Sequence, residues 1–172
     1  EDSYLVNFNQ IATHPPQCLN LPQLLAKSPD KQENIRLLKS NWMIWDMKAW
    51  SDTSLLLASR QGLWLLDYKN ESLAQFPFYG DYQTLAKHEI YRIQKQKYHP
   101  NRWWLATSNG IYILDKKQGI VRHIASQNVG VNQIPDNNIV HFYEENPNTC
   151  WLASRGGGLI KWQPKTGEYK QF

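Results

Sequence analysis

Apolar residues in this chain fall in short runs broken by small and polar residues, and one such pair of runs occurs three times. Residues 55–66 read Leu-Leu-Leu-Ala-Ser-Arg-Gln-Gly-Leu-Trp-Leu-Leu, residues 103–114 read Trp-Trp-Leu-Ala-Thr-Ser-Asn-Gly-Ile-Tyr-Ile-Leu, and residues 150–162 read Cys-Trp-Leu-Ala-Ser-Arg-Gly-Gly-Gly-Leu-Ile-Lys-Trp. Their turn glycines, Gly62, Gly110 and Gly158, are 48 residues apart in both steps. Two apolar runs around a glycine-containing turn predict a β-hairpin. A fixed period of this size in strand-like segments predicts stacked small sheets, a propeller or a solenoid. Asn109-Gly110 predicts a type I′ turn, in which both central residues have positive φ, with Gly62 and Gly158 serving looser turns.

Alternation tells what the hairpins face. One side carries Leu55/Leu57, Trp103/Leu105 and Cys150/Leu152, and the other carries Leu56/Ala58, Trp104/Ala106 and Trp151/Ala153. A sheet with one wet face shows polar residues at every second position. Here both faces are apolar, so each sheet is expected between neighbours, with a large residue beside an alanine letting adjacent sheets interdigitate.

Extending the register outward gives an all-β chain of three four-stranded antiparallel meanders, β-propeller blades forming a partial propeller. The expected strands are 43–47, 54–59, 63–68 and 73–78; 89–94, 103–107, 111–115 and 120–124; and 139–143, 150–154, 159–163 and 168–172. The blades occupy about 42–80, 88–125 and 137–172. Ile44 to Leu57 and Ile139 to Leu152 are 13 apart but Ile90 to Leu105 is 15, which puts two extra residues in the loop at Tyr98-His99-Pro100-Asn101. Residues 1–41 do not repeat. They offer a strand at 4–8, a short helix at 21–27 and an outer strand at 35–38, part of an adjacent blade.

Composition changes the picture little. Nineteen basic against fifteen acidic residues give a net charge of +4, spread without a basic block, which favours solubility and argues against nucleic acid as a partner. Eight tryptophans and nine tyrosines suit strands and pack between blades, or stack on sugars. Two cysteines are too few for a disulfide scaffold; Cys150 reads as a small buried hydrophobe, with a bridge to Cys18 as the alternative. No apolar run approaches the roughly 18 residues of a membrane span, so this segment is not expected to insert into a membrane. The chain starts at Glu1 and reads as an excised or processed piece.

Candidate chemistry is sparse. Glu144 and Glu145 are adjacent in an extended segment and point to opposite faces, so they cannot flank one substrate bond. The five histidines are scattered with no metal-ligand spacing. Arg155-Gly156-Gly157-Gly158 joins two strands and lacks the Lys-Ser/Thr and helix of a phosphate loop. The expectation is no catalytic residue, no metal and no cofactor. In a propeller the turns between second and third strands emerge on the same end as the links between blades. A ligand would therefore meet Arg60, Gln61, Asn109, Arg155, Tyr79 and Tyr82, whose guanidinium, amide and aromatic groups suit sugar hydroxyls or carboxylates.

The third copy goes beyond a period. Ile134-Pro135-Asp136-Asn137-Asn138-Ile139-Val140, Tyr143-Glu144-Glu145-Asn146-Pro147-Asn148, Trp151-Leu152-Ala153-Ser154, Gly156-Gly157-Gly158-Leu159 and Pro164-Lys165-Thr166-Gly167-Glu168 closely resemble the two-component regulator propeller repeat. The second copy keeps Trp104-Leu105-Ala106-Thr107, Asn109-Gly110-Ile111 and Asp115. The first keeps Ala58-Ser59, Gly62-Leu63-Trp64 and Asp67-Tyr68, and both lack the Pro-Asp-Asn lead-in. The resemblance implies a non-catalytic, periplasmic, ligand-sensing segment of a membrane-anchored two-component regulator, detecting glycan-derived nutrients such as oligosaccharides. A propeller enzyme acting on polysaccharide, a lyase or glycosidase, and a protein-interaction scaffold are the alternatives. Propellers close with four to eight blades, so the expected partners are remaining blades of the same propeller or a second copy of the chain.

Overall fold

The computed structural model describes residues 4–6, 18–20, 24, 43–77, 85 and 87–172. Two short strands, β1 (Tyr4–Val6) and β2 (Cys18–Asn20), pair antiparallel with Leu5 opposite Leu19. The first corresponds to the expected strand at 4–8, and the second has no counterpart in the sequence reading. Of the expected helix at 21–27 only Leu24 is described, in helical conformation and buried; the expected strand at 35–38 lies outside the described residues.

The remainder is three four-stranded antiparallel sheets, each in plain sequential order. The first blade is β3 (Ile44–Ser51), β4 (Ser54–Ser59), β5 (Gly62–Asp67) and β6 (Ser72–Gln75). The second is β7 (Ile90–Lys95), β8 (Arg102–Thr107), β9 (Gly110–Asp115) and β10 (Gly119–Ile124). The third is β11 (Ile139–Asn146), β12 (Thr149–Ser154), β13 (Gly158–Trp162) and β14 (Tyr169–Gln171). Ile44 pairs with Ser59, Ile90 with Thr107 and Ile139 with Ser154, so the middle hairpin is two residues longer, and the excess lies in its β7–β8 loop as expected. β6 stops at Gln75, short of the expected 78, while β11 runs on to Asn146.

Blade-to-blade packing follows the two apolar faces. Leu56, Ala58 and Leu63 of the first blade pack on Ile93, Trp103, Leu105, Tyr112 and Leu114 of the second. The opposite face of the second, Trp104, Ala106, Ile111 and Ile113, packs on Phe142, Cys150, Leu152, Ile160 and Trp162 of the third. Ala58 and Ala106 have no exposed surface and sit between the large side chains, which is the expected interdigitation. The outer face of the first blade, Leu57, Trp64, Leu66 and Leu73, is covered by Leu24. Each fully buried side chain of this size contributes roughly 1.5–3 kcal/mol, so these interfaces outweigh any single hydrogen bond between blades, worth about 1 kcal/mol.

One face has no cover among the described residues. On the third blade Trp151, Ala153 and Leu159 occupy the positions that Trp104, Ala106 and Ile111 hold in the second. There Leu159 is 44% exposed and the neighbouring Tyr143 59% exposed, with Phe172 leaning on Trp151 at 5.8 Å between ring centroids.

The turns between second and third strands differ from the type I′ expectation. Among the described non-glycine residues only Glu71 has positive φ, so Asn109 is not left-handed; Gly110 alone is, at φ 85°. The cause is a hydroxyl. Thr107 Oγ1 accepts the Asn109 N–H at 2.9 Å and donates to the Gly110 carbonyl at 2.9 Å, which closes the turn with one left-handed residue. Ser59 does the same with Gln61 and Gly62, and Ser154 Oγ accepts the Gly157 N–H at 2.9 Å ahead of Gly158. Gly110 is doubly constrained, since a Cβ there would stand 2.2 Å from the Ile124 carbonyl oxygen.

Cys150 is a free, buried thiol, which removes the alternative of a Cys18–Cys150 bridge. Burial, and then the nearby Glu144 charge, push its pKa up to about 12.

Candidate functional site

The antiparallel order brings the β4–β5, β8–β9 and β12–β13 turns to the end where each innermost strand begins. Three β-bulges mark that end: the register shifts between Ile44 and Asp46, between Ile90 and Arg92, and between Ile139 and His141. The extra residue is Trp45, Tyr91 or Val140. A bulge breaks the alternation and re-aims its residue out of the ladder. Trp45 and Tyr91 thereby meet across blades, with ring centroids 4.9 Å apart.

Arg60 and Arg155, from equivalent turns of the first and third blades, converge on Tyr91 and the Glu89 bonded to it. Arg60 Nε lies 3.3 Å from Glu89 Oε1, and the Arg155 guanidinium sits 5.1 Å over the Tyr91 ring. Tyr91 donates its phenolic hydrogen to Glu89 Oε2 at 2.7 Å. Burial, and then the bond to Glu89 and its charge, push the Tyr91 pKa up to about 12, against the opposing pull of Arg155. The phenol therefore stays a donor, and Glu89 is fixed between Arg60 and Tyr91. The Ser108 hydroxyl accepts the Glu89 backbone N–H at 3.2 Å and anchors it further.

The other expected site residues fare differently. Asn109 is turned into its own blade: its side-chain amide donates to Tyr112 Oη at 2.9 Å and lies 3.3 Å from His88 Nε2. His123 stacks on Tyr112 at 4.0 Å and bonds the Asn109 carbonyl at 2.8 Å, so Asn109 is not brought to the Arg60–Arg155 cluster. Burial, then the proximity of His123, hold His88 below the usual histidine pKa. Gln61 serves its own turn, its N–H bonding Ser59 Oγ and its carbonyl accepting from Gln75. Tyr79 and Tyr82 lie outside the described residues.

The structure thus places Arg60 and Arg155 beside Glu89, Tyr91 and Trp45, three residues that the sequence pattern does not single out. The available signal is the Ile-Trp and Ile-Tyr pairs at 44–45 and 90–91, at the same place in two repeats. Glu144 and Glu145 do point to opposite faces. Glu144 is buried, whereas exposed Glu145 accepts the Trp151 Nε1 hydrogen at 2.7 Å. Among the described residues no three His, Cys, Asp or Glu side chains cluster where they could hold a metal ion. Also among them, no helix is long and apolar enough to cross a membrane.

Stacked four-stranded meanders, with polar groups on the turns between second and third strands, define partial propeller blades, and solved structures agree. The chain is similar to the extracellular domain of the putative hybrid two component system BT3049 from B. thetaiotaomicron, with a TM-score of 0.64 and 19% identity over 75% of this chain and 18% of that one. It is also similar to PorZ, a bacterial surface component of the type-IX secretion system of Porphyromonas gingivalis, with a TM-score of 0.50 and 12% identity over 90% of this chain and 18% of that one. The chain spans under one fifth of the length of either protein, and the likeness is one of fold. No protein-family model and no curated protein sequence matches it.

Proposed function

We propose that this chain is a non-catalytic, ligand-sensing segment of a two-component regulator ectodomain of the propeller-repeat family. It would lie outside the cytoplasm in a membrane-anchored protein, and its ligand would be a glycan-derived oligosaccharide docked at the turn end. The supporting observation is the convergence of Arg60 and Arg155, from two different blades, on Glu89 and Tyr91 of the blade between them. Guanidinium groups donate to sugar oxygens and carboxylates, Glu89 accepts from hydroxyls, and half-buried Trp45 offers an apolar ring face. Because the groups belong to three blades, a ligand bridging them couples the relative placement of those blades to its presence. The fold of BT3049's extracellular domain supports this reading at the level of architecture.

The same reading assigns the uncovered face of the third blade to a further blade of the ectodomain. Trp151, Ala153 and Leu159 repeat the face that the second blade buries against the third.

A thermal-shift screen of the ectodomain against plant, host and marine oligosaccharides tests the ligand, since anything that binds the native state raises its apparent stability. At least one oligosaccharide is expected to raise Tm, and Arg60→Ala or Arg155→Ala to remove that rise. Both side chains are exposed, so the substitutions are expected to shift basal stability by no more than about 0.5 kcal/mol. A panel without any response, or a response indifferent to both arginines, overturns the glycan reading.

A further inference from the structure

At the opposite end of the strands, between the second and third blades, lies a cavity of about 470 Å3. Small-molecule sites occupy roughly 300–1,000 Å3. Its deep wall is made by Trp104, Ile113 and Cys150, and three polar side chains line it while more than nine-tenths buried. Gln96 is 4% exposed and its Oε1 has no hydrogen-bond partner; Trp104 is 5% exposed and its Nε1–H has none either. Glu144, 6% exposed, accepts the Lys97 backbone N–H at 2.7 Å through Oε2 and enters no ion pair among the described residues. A buried carboxylate without a counter-charge is costly, as is each unmade hydrogen bond.

The cavity also holds an unmatched cation. Arg122 donates from Nε to Asn132 Oδ1 at 2.6 Å and from its terminal nitrogen to the Val131 and Pro164 carbonyls, the latter at 3.1 Å. Its guanidinium lies 5.7 Å from the Trp162 ring centroid, and among the described residues no carboxylate faces it within ion-pair distance. Arg102, by contrast, is neutralised by Asp115 at 3.2 Å. Glu144 and Gln96 belong to the innermost strands of their blades or the loop that follows, and Arg122 to the outermost strand of the second blade. Three strand spacings of roughly 4.8 Å separate those positions, about 14 Å between backbones before the side chains reach inward. One cavity therefore carries an uncompensated acid at its inner end, an uncompensated base at its outer end and an unused N–H donor between them.

We infer that this cavity binds a short zwitterionic peptide, its α-ammonium against Glu144 and Gln96, its carboxylate against Arg122, and a peptide carbonyl on Trp104 Nε1–H. An extended chain rises about 3.3 Å per residue, so a tripeptide reaches both ends, whereas a single amino acid carries its charges too close together. A neutral sugar of the same length leaves both charges unpaired. This site is separate from the Arg60–Tyr91–Arg155 cluster and stands or falls without it.

The test is an NMR titration of the 15N-labelled chain with trialanine, N-acetyl-trialanine, trialanine amide and maltotriose. Trialanine is expected to give saturable shifts at Lys97 and at the Trp104 indole N–H, and blocking either terminus to weaken binding about tenfold or more. In Glu144→Gln trialanine and its N-acetyl form should bind alike, and in Arg122→Gln trialanine and its amide should. The wild-type comparison of blocked and free peptides decides the matter even if a variant fails to fold. No saturation by about 10 mM trialanine, a level that marks binding of only a few kcal/mol, overturns the proposal. So does indifference to both blocking groups, or equal binding of maltotriose at these signals.

Discussion

Asp46 on the inner strand of the first blade accepts the backbone N–H of Ile93, on the inner strand of the second, at 2.9 Å. Glu144 does the same from the other side, accepting the Lys97 N–H at 2.7 Å. Strand β7 is the inner edge of its sheet, and its edge N–H groups, like that of Lys97 just beyond its end, need partners outside the ladder. The two neighbouring blades supply them as carboxylates. Asp46 is held by Lys48 at 2.7 Å, with Arg92 at 3.6 Å. Asp46→Ala leaves a part-buried N–H unpaired and is expected to cost about 1–3 kcal/mol, read as a lower urea midpoint with unchanged m-value.

In the first two blades the turns between third and fourth strands are tied by carboxylates as well. Asp67 Oδ1 accepts the N–H groups of Lys69 and Asn70, and Asp115 Oδ1 those of Lys117 and Gln118. The backbone bond from Asn70 chiefly holds Asp67 below its usual value, and that from Lys117 does so for Asp115. A carboxylate whose pKa is lowered on folding leaves the unfolded chain binding more protons in acid. The stabilisation is thus complete above about pH 4–5 and is lost as pH falls through the folded values. Urea melts across that range should show the loss, and Asp67→Asn with Asp115→Asn should flatten it; an unchanged slope contradicts the assignment.

Glu71 has φ 50°, at the place where the second and third blades put Gly119 and Gly167, with φ 77° and 80°. A left-handed conformation costs a residue with a Cβ roughly 1–2 kcal/mol, of which glycine's extra chain entropy returns about half. Glu71→Gly should therefore raise stability by about 0.5–1 kcal/mol, measured by chemical denaturation. A loss of stability shows that the Glu71 side chain matters more than its backbone.

The exposed Leu159, Tyr143 and Phe172 lie on a face built like a buried one. In isolation the chain should self-associate in a concentration-dependent way, and Leu159→Glu, placing a charge at the centre of the face, should reduce that association in sedimentation experiments without lowering Tm. A chain that stays monomeric at all concentrations argues against this face as a docking surface.

The blades themselves were legible because period and alternation are local. β4 lies at the expected 54–59, and the two faces read at Leu55 to Ala58 are the two faces buried. The type I′ turn was misread because Asn-Gly is a propensity, and the Thr107 hydroxyl outcompetes it through two specific bonds. Arg60 and Arg155 were legible as turn residues, but nothing local connects them to Glu89 and Tyr91, which meet them only once three blades stack and a bulge turns Tyr91 out of its ladder. The inter-blade cavity is equally invisible along the chain, since Gln96, Glu144 and Arg122 come from three strands or loops of two sheets.

Taken alone, then, the amino-acid order determined three repeats, their strands and which residues each sheet turns to its neighbours, all consequences of a two-residue side-chain period and of glycine at left-handed turns. Tertiary structure alone decided which charged groups stand together. Stacking sets distances between residues tens of positions apart, and the energy of a charge depends on those distances and on what excludes water around it.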